Sequence, residues 1–138
     1  MINNIQIPDW LFEINYNEKI IPNGIPHDLK TTGANCQVFA YYILRQNGLY
    51  VPEYRSSELW TDRAFSKLIL EDFQPLDILF FHKHRNPYGA HLAVYLGDQL
   101  AIHLSKKIGK PIIWNVEQFS KHLRYASLLG AKRFFKEE

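Results

Sequence analysis

Cysteine and methionine are scarce in this 138-residue chain, with one of each. A lone cysteine cannot complete a recognised zinc-ligand spacing, and none is expected of Cys36. No run approaches the roughly 20 apolar residues of a membrane span. The N-terminus also lacks the basic region and following apolar stretch of an export signal. The chain is therefore expected to be cytoplasmic as synthesised, which leaves open a dedicated secretion route, a mature fragment or a cytoplasmic substrate. Charge of one sign is scarce too: the net charge is +2 and the lysines and arginines are scattered, so nucleic acid is not an expected partner. The one basic cluster, Lys132, Arg133 and Lys136, precedes Glu137 and Glu138 and reads as a solvated end. No repeat or low-complexity segment is present.

What is present suits one domain. Hydrophobic residues make up 46% and aromatics 14%, ample for a core at this length. Residues 1–32 hold Pro8, Pro22 and Pro26 with Asn23 and Gly24, and read as an irregular lead with at most a short helix over Trp10 to Ile14. An amphipathic helix follows from Val38 to Asn47, stopped near Gly48. Ser56-Ser57-Glu58-Leu59-Trp60 reads as a serine-capped helix start. Strands are expected over about Asp77 to His84, His91 to Leu96, Leu100 to Ser105, Pro111 to Val116 and Leu128 to Phe135, with a short helix from Glu117 to Leu123.

Cys36 stands at the head of the first long helix, where unpaired N–H groups and the helix dipole favour a thiolate, the form that attacks carbonyl carbon. Side chains alternate along a strand, so His91, Ala93 and Tyr95 share one face, and Ala101, His103 and Ser105 share one face of the next strand. A three-residue Gly97-Asp98-Gln99 loop would set Leu96 opposite Leu100 and leave both histidines on the same face. A two-residue loop would split them. Cys36, His91 and His103 then have the form of a nucleophile, a general base and a residue that orients the base.

That order resembles the NlpC/P60 family of papain-like cysteine peptidases. The similar stretches are Asn35-Cys36-Gln37-Val38-Phe39, Gln74-Pro75-Leu76-Asp77-Ile78-Leu79-Phe80-Phe81, His91 to Gly97 and Ala101-Ile102-His103-Leu104. The resemblance implies a papain-like α+β fold, with an N-terminal helical part carrying the cysteine helix packed on a central antiparallel sheet. It implies a cysteine hydrolase of peptide or amide bonds acting through a thioester, with peptidoglycan peptides as substrate and no cofactor. An acyl transferase or a catalytically retired peptide-binding domain of the same fold is the alternative, and an inhibitor protein is a conceivable partner. By the same resemblance Tyr16 would help bind the oxyanion, and Asn35 and Gln37 would flank the substrate. Those two replace the family's usual aspartate and serine, so neither can hold an ammonium by charge.

Three further features have plainer readings beside the functional ones. Ser57 and Trp60 can wall a cleft, although a tryptophan is more often a packing residue. Asp77 can bond to backbone in the turn before its strand. His82 and His84 have the spacing of two metal ligands on one strand face, but no carboxylate or second cysteine completes a motif, so no metal is expected.

Overall fold

A computed structural model describes residues 4–23 and 28–136. Gly24 and Pro26, expected to break the lead, and Glu137 and Glu138 lie outside the described residues. The order of elements is α1 (Leu29–Thr32), α2 (Cys36–Gln46), α3 (Ser56–Thr61), β1 (Ser66–Ile69), β2 (Ile78–His82), β3 (His91–Gly97), β4 (Leu100–Leu104), β5 (Pro111–Asn115), α4 (Val116–Phe119) and β6 (Ser127–Phe134). Short 3-10 helices cover Asp9–Glu13, where at most a short helix is expected, and Leu123–Tyr125. The strands form one antiparallel sheet in the order β1-β6-β2-β3-β4-β5.

The sheet is covered on both faces. Leu92, Val94, Leu96, Ile102 and Leu104 join α2 in an aliphatic core, while Ala93, Tyr95, Ala101, Trp114, Phe119 and Tyr125 build a second, aromatic core on the other side. Helix α2 buries Val38, Phe39, Ala40, Tyr41, Ile43 and Leu44. Each fully buried large apolar side chain contributes about 1.5–3 kcal/mol, so packing rather than intrinsic propensity holds this eleven-residue helix.

Three expectations are corrected. The β3–β4 loop is two residues rather than three: Asp98 and Gln99 both have positive φ, 52° and 64°, as a tight hairpin turn requires. Tyr95 pairs with Ala101, and the register then shifts so that Gly97 pairs with Leu100. This bulge absorbs one residue and keeps His91 and His103 on one face despite the shorter loop. Helix α3 has Arg55 rather than a serine at its N-cap, and its N–H donates to Glu58 Oε1 at 2.8 Å. In the basic C-terminal cluster Lys136 is exposed, as a solvated end requires, but Lys132 and Arg133 are held in the fold. Lys132 is fully buried and donates to the carbonyls of Asp62 at 2.6 Å and Trp60 at 3.3 Å. Arg133 clasps buried Asp77 through two bonds of 2.8 Å, and Asp77 also accepts from Gln74 N at 2.8 Å, the turn contact expected of it.

Burial pushes the Lys132 ammonium down to about 8. The unfolded chain keeps the ordinary value of 10.5, so between these values unfolding takes up a proton and stability rises with pH. Replacing Lys132 with Met is expected to remove that rise, worth up to about 1.4 kcal/mol per pH unit. Urea titrations of both proteins at several pH values between 8 and 10 measure the difference.

Candidate active site

The cysteine is fixed from both sides of the chain. Gly33 closes α1 at φ 72°, and a Cβ there would stand 2.2 Å from Asn15 O, so only glycine admits this approach. Asn15 O accepts from Ala34 N at 3.1 Å and Ala34 O accepts from Asn17 N at 2.9 Å, which lays Tyr16 alongside the entry to α2. Tyr16 N reaches the β4–β5 turn, donating to Gly109 O at 2.8 Å. Asn35 caps α2, its Oδ1 accepting from Val38 N at 2.8 Å. Such a cap is worth about 1 kcal/mol, and it engages the side-chain oxygen of the residue that flanks the cysteine.

The two histidines meet. His91 Nε2 and His103 Nδ1 are 2.8 Å apart with rings nearly perpendicular. His103 is fully buried between Trp114 and Phe119, at ring-centre distances of 4.4 and 4.6 Å. Its Nε2 is buried with no hydrogen-bond partner among the described residues. Tyr125 stacks on His91, 4.4 Å between centres at 25°.

A cleft of about 350 Å³ opens over this pair, lined by Tyr16, Cys36, His82, Gly89, Ala90, His91 and Tyr125 with Lys83, Lys106 and Arg124. Burial dominates its electrostatics. It pushes the Cys36 thiol up, against backbone N–H groups of Leu92, Cys36 and Gln37 that pull it partly back. Burial holds His91 well below the usual imidazole range, helped by His103, and drops His103 to about 3, helped by His122. The resting pair is therefore neutral thiol and neutral imidazole, not the thiolate that the helix terminus alone would favour. Burial and then the charge of an ionised Cys36 raise Tyr16.

Of the residues singled out in the sequence, Cys36, His91, His103 and Tyr16 come together. Gln37 and Ser57 line a neighbouring groove that shares Gly89 with the cleft, and Gln37 Oε1 is buried there without a partner among the described residues. Trp60 does not reach either groove; its ring packs edge-on against Phe80 at 5.0 Å. His82 Nδ1 accepts from His84 N at 3.0 Å, and among the described residues no three His, Cys, Asp or Glu side chains converge on one point. Sequence reasoning missed Phe119, Tyr125 and Arg124, which reach the site from the segment after β5.

A helix opening on a cysteine, laid on an antiparallel sheet that carries a histidine pair, defines a papain-like α+β fold. The sequence pattern of the NlpC/P60 family matches residues 26–129, and the chain belongs to that family, whose members are generally cell-wall peptidases. Among solved structures it is similar to an NlpC/P60 family protein from Bacillus cereus, at 21% identity and a TM-score of 0.55 over 74% of this chain and 32% of that one. It is also similar to the P60 domain of an antigen from M. avium subspecies paratuberculosis, at 17% identity and a TM-score of 0.54 over 90% of this chain and 82% of that one. The chain thus spans about a third of the Bacillus protein. No curated protein matches it.

Proposed function

We propose that this chain is a cysteine hydrolase that cleaves an amide bond in cell-wall peptides through a thioester on Cys36. The observation that carries this reading is the 2.8 Å His91–His103 contact beneath a cleft that also holds the thiol.

With Nε2 of His91 bonded to His103, Nδ1 is the nitrogen left to accept the thiol proton. His91 must then donate through Nε2 to His103 Nδ1, which leaves His103's own proton on Nε2 among the aromatic rings. Because thiol and imidazole rest neutral, proton transfer accompanies attack: Sγ bonds to the carbonyl carbon as His91 takes the proton. The oxyanion is met by N–H groups at the head of α2 and by the Tyr16 hydroxyl. Collapse breaks the C–N bond, and His91 returns its proton to the departing amine. Water, deprotonated by His91, then releases the acid and restores the thiol. The imidazolium formed in between lies against the Tyr125 ring, where a cation–π contact favours it.

The test is to supply peptidoglycan stem peptides together with hydroxylamine and analyse products by mass spectrometry. A hydroxamate of the acyl fragment, formed with wild type and absent with Cys36→Ala, is the expected result. Product release without hydroxamate at any concentration of the amine overturns the thioester. Transfer to an added peptide amine in preference to water would instead make the chain an acyl transferase. His103→Ala is expected to lower kcat by about fivefold without abolishing it, since one neutral hydrogen bond contributes roughly 1 kcal/mol.

A further inference from the structure

A further buried polar side chain stands beside the histidine pair. Ser105 is 1% exposed and follows Ala101 and His103 along one face at the end of β4. The register that pairs Val94 with Ile102 sets it across from His91. Its side chain is hydrogen-bonded to the hydroxyl of Tyr125, the ring stacked on His91. Its Oγ also accepts from Ile108 N at 3.2 Å, and its carbonyl accepts from Gly109 N at 2.8 Å, so the turn that holds Tyr16 begins on this residue.

One hydrogen bond does not fix the plane of an imidazole. Rotation about the Cβ–Cγ bond of histidine is soft, and Nε2 lies close to that axis, so the bond to His103 restrains the rotation weakly. Nδ1 lies well off the axis and swings as the ring turns. A flat ring against the imidazole face sets the plane, provided that ring is itself held. Tyr125 has the same soft torsion, and its hydroxyl is the point at which Ser105 can hold it.

We infer that Ser105 is a positioning residue for the base: through the Tyr125 hydroxyl it holds the ring that turns His91 Nδ1 toward Cys36. The inference rests on the cysteine hydrolase reading and adds two residues, neither touching the reacting atoms, to its support. His103 sets which nitrogen carries the proton, and the Ser105–Tyr125 pair sets where the free nitrogen points.

Iodoacetamide tests this without a substrate. Sγ displaces iodide from the methylene carbon as His91 takes the thiol proton, so the rate at neutral pH reports how well the imidazole faces the thiol. Ser105→Ala and Tyr125→Phe are each expected to slow alkylation about fivefold, the worth of one neutral hydrogen bond. Both break the same bond, so the double variant should be no slower than either single one. Tyr125→Leu, which also removes the stacked ring, should be slower again, and His91→Ala slowest. A serine that served only its own turn would leave Tyr125→Phe at the wild-type rate. That result in folded Tyr125→Phe overturns the inference, as does a double variant whose losses add. The parent reading fails separately, and takes the inference with it, if His91→Ala alkylates as fast as wild type.

Discussion

Cys36→Ala is expected to release no product above the uncatalysed rate, and His91→Ala to retain about one part in 10² to 10⁴ of wild-type kcat, the usual worth of a positioned general base. The two groups act on one proton, so the double variant should be no worse than Cys36→Ala alone. Cys36 is only partly buried as a residue, and losing its sulfur should leave the melting temperature nearly unchanged. The pH profile separates this scheme from a preformed ion pair. His91 stays neutral well below 6.5 and the thiol stays protonated above 9.0, so kcat/KM should hold a broad plateau with limbs outside those values. Steady-state rates from pH 4 to 10 on one substrate suffice. Measurable turnover by Cys36→Ala would remove the nucleophile from the scheme entirely.

Phe119→Ala is expected to cost about 3–5 kcal/mol, the range for truncating a fully buried phenylalanine. Against a total stability of about 5–15 kcal/mol that is a large fraction. Phe119 is wholly buried, stacks on Phe81 at 4.1 Å and stands 5.0 Å from Trp114, in addition to walling His103. Its removal opens the aromatic core next to His103, the ring proposed to orient the base. Phe119→Leu retains most of the volume and should cost less than about 1.5 kcal/mol, yet lower kcat, because a branched aliphatic chain does not hold the His103 ring plane. Denaturant melts and kcat measured on both variants test this. Wild-type kcat in folded Phe119→Leu would show that the cage plays no part in positioning His103.

The histidine pair was legible in the sequence because strand alternation and hairpin register are local rules, and His91 and His103 lie on consecutive strands. The loop between them was less so. Gly97, Asp98 and Gln99 permit a three-residue turn as readily as a two-residue turn with a bulge, and only the pairing to Leu100 decides between them. Strand β1 was missed because Ser66-Lys67-Leu68-Ile69 has no clear alternation and is made a strand by β6, far away in sequence. Lys132 read as a surface cation for the same reason: its partners, the carbonyls of Trp60 and Asp62, arrive from α3 and its C-cap. Tyr125 carries no local signal at all. It becomes a neighbour of His91 only when the segment after β5 folds back over the sheet.

The division into two cores implies that the proposed catalytic arrangement and the folded state have separate lifetimes. The aromatic half is capped by a four-residue helix and a three-residue 3-10 turn, whose backbone bonds are local, such as Ser120 N to Glu117 O and Tyr125 N to His122 O. The aliphatic half is anchored by α2 and the central strands. Segments of this short, local kind open in native conditions at far less cost than a central strand. Amides over residues 116–125 should therefore exchange with solvent hydrogen faster than those of β2 and β3, and each opening would uncage His103 and unstack His91 while the rest of the chain stays folded. On heating, the histidine pair would lose its setting before the chain unfolds.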